Sequence, residues 1–372
     1  MARKSLSEYP EALCNDGTNA SYYFSYNAFN SDKLLIYLQG GGGCTSVEEC
    51  NRRCDSQVSG HYCTTMPDET LEQEKLIEKY LLSDDEQINP PFFDFGKIFV
   101  PYCSSDTWIG TADANAENGG YNFHGKDIVR AVVDDVKMLT NLGEKKQIVL
   151  YGISAGGFGI QSVCDFAADS FKAENPSLDV RCIADSGDFV PPVGQECKTE
   201  EESEALGKLW GVELDESCVA AGGKCGNFVN LYSFIETPFF VAINYADPIV
   251  SGDCPPNANA FNIEYWNQWR QEIKSMANDV LIVSSFILHI IKLSFLFQAK
   301  PDSGFFIPNC FFHVLATRED GWSKIEVPLD GSNEKIDLKD ILKNWLTGAG
   351  PAVALDDPLL ANSGCRAPIG FP

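Results

Sequence analysis

Gln147-Ile-Val-Leu-Tyr-Gly-Ile-Ser-Ala-Gly-Gly157 reads as a buried strand that runs directly into a tight, glycine-lined turn. Helical apolar spacing follows over residues 158–171, so the helix is expected to begin just after Gly157. Strand, G-x-S-x-G and helix in that order lift a serine hydroxyl clear of a sheet. Small residues are required around the serine, because a Cβ there would meet the neighbouring strand or helix. Ser154 is therefore the candidate nucleophile. The competing reading is a glycine-rich turn with an ordinary capping serine.

Outward from this turn the same alternation recurs. Lys33-Leu-Leu-Ile-Tyr-Leu-Gln39 is an apolar strand ended by four glycines, Gly40 to Gly43. Lys97-Ile-Phe-Val-Pro-Tyr102 is a second strand, closed by Pro101, and helical spacing follows over 128–142. Val180-Arg-Cys-Ile-Ala184 and Pro238-Phe-Phe-Val-Ala-Ile-Asn-Tyr245 are further strands. Strands alternating with helices predict an α/β fold, a mainly parallel sheet flanked by helices on both faces. A small β-meander is expected over 17–30 and an exposed helix over 68–82. The acidic stretch 194–225 is expected to form a cap or insertion over the sheet. The tail after Gly348 reads as ordered loop or fraying end. One domain over 1–372, with its core at about 34–345, is the expected organisation.

A nucleophilic serine needs a base, and in this architecture the order is serine, acid, histidine. The histidines are His61, His124, His289 and His313, and only the last two follow Ser154. His289 lies in an unusually apolar stretch, whereas His313 follows Phe305-Phe-Ile-Pro-Asn-Cys310, which reads as strand then loop. His313 is the candidate base by elimination. His61 and His124 are expected in polar loops. Asp247, just beyond the strand ending at Tyr245, is the preferred acid. Asp185 and Asp188 compete and are expected to be pocket or turn carboxylates. A tetrahedral intermediate also needs backbone N–H donors free of side chains. Gly41 and Gly42, with the amide of Ala155, are the candidate oxyanion donors. No G-K-[ST] follows the glycine run, so a phosphate loop is set aside.

With 28 basic and 53 acidic residues, the 372-residue chain carries a net charge of −25. That sign excludes a nucleic-acid binder, which displaces counterions with a basic stripe. The fourteen cysteines are even in number, spread along the chain and without a Cys-x-x-Cys pair. Disulfides formed in an oxidising compartment fit this pattern better than a metal site, with connectivity left open. Residues 1–10 show no apolar core of a signal peptide, so a leader is expected to be absent from this chain. Residues 280–297 (VLIVSSFILHIIKLSFLF) approach transmembrane length, but His289 and Lys292 count against a clean span. Two readings stay open there, a buried core helix and a retained intron. Valine codons begin with GT and CAG encodes glutamine, which matches intron boundaries at Val280 and Gln298.

Several motifs occur together in one order. They are Leu38-Gln-Gly-Gly-Gly-Gly-Cys44, Pro101-Tyr-Cys-Ser-Ser-Asp-Thr-Trp108, Gly152-Ile-Ser-Ala-Gly-Gly157, Ala184-Asp-Ser-Gly187, Asn244-Tyr-Ala-Asp247 and Cys310-Phe-Phe-His313. On these the chain resembles the pectin acetylesterase/Notum family from about Leu34 to Trp345. The resemblance implies an α/β-hydrolase fold and a secreted, disulfide-bonded serine esterase with neither metal nor cofactor. It carries the triad onto Ser154, Asp247 and His313, and the oxyanion donors onto Gly41, Gly42 and Ala155. The Tyr-Cys-Ser-Ser-Asp and Ala-Asp-Ser-Gly stretches look more like the Notum branch. Where the family commonly has a glutamate and an aromatic in the first glycine motif, this chain has Gln39 and only glycines, which favours a wider pocket mouth. Phe123-His124-Gly125 stands where plant members have Phe-Arg-Gly. The stretch 280–297 has no counterpart, which favours the intron.

The expected activity is hydrolysis of O-acyl esters, first of all O-acetyl groups of an extracellular polysaccharide. A Notum-like palmitoleoyl deacylase acting on an acylated protein is the rival within the same chemistry. A catalytically silent binding protein on the same fold is the rival outside it. The expected partners are an acylated glycan or protein, with neither nucleic acid nor a membrane span. The acidic charge disfavours de-esterified, polyanionic pectin relative to a neutral or heavily esterified glycan.

Overall fold

The computed structural model describes residues 1–55, 62–66, 79–187, 200–222, 225, 232, 234–245, 247–249, 302–329, 334–356 and 362–365. The stretch 280–297 and His61, Asp188 and His289 lie outside the described residues. The strands are β1 (Ala2–Ser5), β2 (Ser21–Phe24), β3 (Lys33–Leu38), β4 (Gly96–Val100), β5 (Gln147–Ile153), β6 (Asp179–Asp185), β7 (Phe239–Ala242), β8 (Gly304–Ile307), β9 (Val327–Pro328), β10 (Lys335–Ile336) and β11 (Val353–Leu355). The helices are α1 (Val47–Cys54), α2 (Gly125–Leu139), α3 (Ala155–Lys172), α4 (Glu200–Trp210), α5 (Glu216–Ala220), α6 (Glu319–Ser323) and α7 (Leu338–Thr347).

Nine strands join in the order β1-β2-β4-β3-β5-β6-β7-β8-β11, and β9 and β10 form a separate antiparallel ribbon. From β4 through β11 every pairing is parallel. β5 is buried at every position, as a strand covered on both faces must be, so its sequence runs apolar without alternation. The alternation shows instead in which core each residue enters. Ile148 and Leu150 pack with Val132 of α2 and Ile160 and Val163 of α3. Val149 and Tyr151 face the opposite side with Ile341 and Trp345 of α7. The fold is thus an α/β-hydrolase-like sheet between helical layers.

Two expectations change. The opening residues form no separate meander, because β1 and β2 extend the main sheet as its antiparallel edge. The tail is neither loop nor fraying end at β11, which pairs parallel to β8 at the opposite edge. Most of the helix expected over 68–82 lies outside the described residues; at its end Leu81 and Leu82 are fully buried in a turn beside Phe92 and Phe95.

The parallel register sets where chemistry can occur. Leu38 pairs with Gly152, Ile153 with Asp185, and Asp185 with Ala242. The glycine run, Ser154, Ser186 and the segments leading to Asp247 and His313 therefore all leave the sheet at its carboxyl edge, where ligands of open parallel sheets bind.

Candidate active site

The helix after β5 begins at Ala155, three residues before the expected start, with Ser154 as its N-terminal cap residue at φ +54° and ψ −119°. This left-handed backbone is rare for a residue with a side chain and has the form of the strained elbow that can project a nucleophile. The glycines around it are sterically required. A Cβ on Gly152 would lie 2.1 Å from the carbonyl oxygen of Gly156, and one on Gly156 would lie 2.2 Å from that of Leu38. The elbow also sits at the positive end of the α3 dipole, which favours negative charge developing there.

Three sequence-selected residues meet at this elbow. His313 lies beyond β8, with Nε2 2.7 Å from Ser154 Oγ. Its Nδ1 is 2.9 Å from each carboxylate oxygen of Asp247. Asp247 is fully buried, and its Oδ1 also accepts the Ile249 amide at 3.0 Å. The Asn244 side-chain amide donates to the Phe312 carbonyl at 2.8 Å, tying the loop after β7 to the residue before His313. A hydroxyl, an imidazole and a carboxylate in this sequence can pass a proton from the hydroxyl to the ring while the carboxylate stabilises the imidazolium.

The glycine run lies alongside. A Cβ on Gly40 would come within 3.0 Å of the Ser154 Cβ. Gly41 and Gly42 have φ of +152° and +67°, and a Cβ on Gly41 would strike the Tyr62 ring at 2.6 Å. The loop is anchored from behind by two residues not singled out from sequence. The Trp108 indole N–H donates to the Gln39 carbonyl at 3.0 Å, and the Tyr102 amide donates to Gln39 Oε1 at 3.1 Å. Asp106 organises that anchor by accepting from Ser104 Oγ, the Trp108 amide and the Gly125 amide. Burial pushes the Asp106 carboxyl up to about 6, against the pull of those donors. The signal for this group was the polar run Ser104-Ser-Asp-Thr107, wedged between the aromatics Tyr102 and Trp108.

Asp185, the competitor of Asp247 and expected to be a pocket or turn carboxylate, stands at the end of β6. It is fully buried, and its carboxylate accepts the amides of Leu315 and Ala316 and the hydroxyl of Ser186. Burial raises it to about 6. His124, expected in a polar loop, is buried at the start of α2 and hydrogen-bonds Asp127 through Nδ1 at 2.9 Å, apart from the Ser154 group.

Twelve described cysteines form six disulfides: 14–103, 44–50, 54–63, 164–182, 218–225 and 310–365. Cys44–Cys50 follows the glycine run directly, and Cys164–Cys182 ties α3 to β6. Cys197 and Cys254 lie outside the described residues. Beside the first of these bridges, the Trp210 indole of α4 donates to the Cys44 carbonyl at 2.9 Å.

Comparison with known proteins agrees with this architecture. The structure of the Wnt deacylase Notum from Drosophila superposes with a TM-score of 0.73 over 99% of both chains, at 23% identity, which shows the shared fold. Palmitoleoyl-protein carboxylesterase NOTUM of Schmidtea mediterranea is 31% identical over 255 residues, 63% of this chain; the match spans 47% of that relative's length. Pectin acetylesterase 5 of Arabidopsis thaliana is 27% identical over 370 residues, covering 95% of this chain and 82% of its own length. The family model for pectinacetylesterase matches residues 5–366, nearly the whole chain, so this protein is a carboxylic ester hydrolase belonging to the pectinacetylesterase family.

Proposed function

We propose that this chain is a secreted serine carboxylesterase that removes O-acetyl groups from an extracellular polysaccharide. The observation that carries the reading is the unbroken chain from Ser154 Oγ through His313 to Asp247, at 2.7 and 2.9 Å. Ser154 Oγ attacks the ester carbonyl as its proton passes to His313 Nε2, and Asp247 holds the ring and its charge. The amides of Gly41, Gly42 and Ala155 receive the oxyanion. Imidazolium then protonates the departing sugar oxygen, leaving acetyl-Ser154. His313 next takes a proton from water as it attacks the acetyl carbon, and acetate and free Ser154 result.

Secretion is supported by six disulfides among the described residues, a density suited to an oxidising compartment. A glycan substrate is supported by a pectin acetylesterase aligning over 95% of the chain, against 63% for the NOTUM relative. We read the chain as one domain, with α4 and α5 in a cap over 194–225.

The second reading is removal of a long acyl chain from a protein. The 31% identity over 255 residues to the palmitoleoyl-protein carboxylesterase of Schmidtea mediterranea supports it. Hydrolysis of p-nitrophenyl acetate and octanoate separates the two, since a preference for octanoate requires a deep apolar pocket. Faster turnover of acetate supports the first reading. If folded Ser154→Ala hydrolyses acetate as fast as the parent, the serine mechanism is wrong.

A further inference from the structure

Asp185 touches both sides of the Ser154–His313 contact. Its main-chain carbonyl accepts the Ser154 amide at 2.8 Å, where the elbow departs from β5. Its carboxylate accepts the Leu315 amide at 2.9 Å and the Ala316 amide at 2.7 Å, just beyond His313. Ser186 Oγ accepts the Val314 amide at 3.1 Å and donates to Asp185 Oδ1 at 3.0 Å. Three successive amides are thus turned toward one buried carboxylate–hydroxyl pair, a concave arrangement of N–H groups that suits an anion. The turn requires Val314 at φ +58°. A β-branched residue avoids this region, so the conformation persists only where its surroundings impose it.

We propose that Asp185 is a positioning residue for the esterase reaction: its carbonyl fixes the nucleophile's backbone while its carboxylate, with Ser186, imposes the left-handed Val314 that aims His313 at Ser154. The proposal rests on Ser154 and His313 being nucleophile and base. A buried carboxylate serving only the packing would be placed without regard to the elbow. Here a single residue sets the separation of the two reacting groups from opposite sides, so an error in its side chain becomes an error in the Ser154–His313 distance. Displacements on the order of 1 Å in reacting groups lower turnover by about 100-fold, without a matching effect on substrate binding.

The test uses the secreted, oxidised chain, with steady-state hydrolysis of p-nitrophenyl acetate and labelling by a fluorophosphonate probe. His313→Ala is expected to abolish both. A His313→Ala protein that labels at the parental rate overturns the base reading and this proposal with it. With His313→Ala inactive, Asp185→Asn is expected to lower kcat by about 100-fold while KM stays within about twofold. Glycine adopts the left-handed region without strain. The loss from Asp185→Asn is therefore expected to shrink in a Val314→Gly background. Parental kcat in folded Asp185→Asn, or an equal loss in both backgrounds, overturns the positioning role while leaving the triad standing. Should Asp185→Asn fail to accumulate, Ser186→Ala decides. It removes one hydrogen bond to Val314, and a parental kcat there overturns the proposal, whereas a reduced kcat with KM unchanged supports it.

Discussion

The indole N–H of Trp108 donates to the main-chain carbonyl of Gln39 at 3.0 Å, so a fully buried ring holds the residue from which the glycine run departs. Trp108→Phe keeps most of the ring and removes that bond. Gln39 is half-buried, so losing this donor costs about 1 kcal/mol. Part of that strain will fall on Gly40 to Gly42, which the proposed reaction needs in place. Turnover of p-nitrophenyl acetate should drop by about tenfold with KM little changed, the pattern of a lost transition-state interaction. A variant that loses stability yet keeps parental kcat would assign Trp108 to packing alone.

One glycine of the elbow and one in α4 give opposite expectations for the same substitution. A Cβ at Gly156 meets the backbone carbonyl of Leu38 at 2.2 Å, and no side-chain rotation relieves that contact. Gly156→Ala should therefore push β3 and α3 apart and destabilise by about 3 kcal/mol or more. Gly207 lies in α4 with nothing within 4 Å of an added Cβ. Gly207→Ala should stabilise by about 0.5–1 kcal/mol through helix propensity. Urea unfolding of both proteins checks the pair, and a shift of the same sign in both would contradict the steric account.

How much was legible follows from distance along the chain. β3, β5 and β6 are buried on both faces, so each reads as an apolar run, and the turn after β5 carries its own glycine signature. Ser154, Asp247 and His313 were selected because each follows a strand end in a fixed order. β1, Ala2-Arg-Lys-Ser, has no apolar run to find, and β11 is three residues behind Gly350-Pro351. Both are edge strands whose pairing is decided by their neighbours. The role of Asp185 was hidden for a related reason. Its partners Leu315 and Ala316 lie 130 and 131 residues away, and nothing local to Ala184-Asp-Ser-Gly187 points to them.

Cys310 stands three residues before His313 and is bonded to Cys365, closing a loop of 55 residues. Loop-closure entropy for that length corresponds to about 4 kcal/mol. The double substitution Cys310→Ser and Cys365→Ser should lower unfolding free energy by that order and loosen the segment carrying His313. Loss of kcat should therefore accompany loss of stability, measured by thermal unfolding and acetate hydrolysis on the same preparation. The Cys218–Cys225 bridge, starting within α5, closes a loop of 7 residues and serves as comparison. Its double serine variant should lose less stability and keep kcat. Equal effects from the two pairs would speak against a local role for Cys310–Cys365.

The Asp185 carboxyl also gives stability a pH dependence of definite sign. Burial raises it from 3.8 to about 6, outweighing the amides of Leu315 and Ala316 and the Ser186 hydroxyl, which act the other way. The folded chain thus holds this proton more tightly than the unfolded chain. The group's contribution is greatest below about pH 4 and is lost as pH rises through about 6. A side-chain amide does not titrate, so the stability difference between parent and Asp185→Asn isolates this group, and Asp106, raised in the same way, cancels between the two. The parent's advantage over the variant should fall by about 3 kcal/mol between pH 4 and pH 7, from roughly two pKa units at 1.36 kcal/mol each. Urea unfolding of both proteins at several pH values reads that slope. An advantage that grows toward pH 7 would mean that the donors around Asp185 win over burial and hold it as a low-pKa carboxylate.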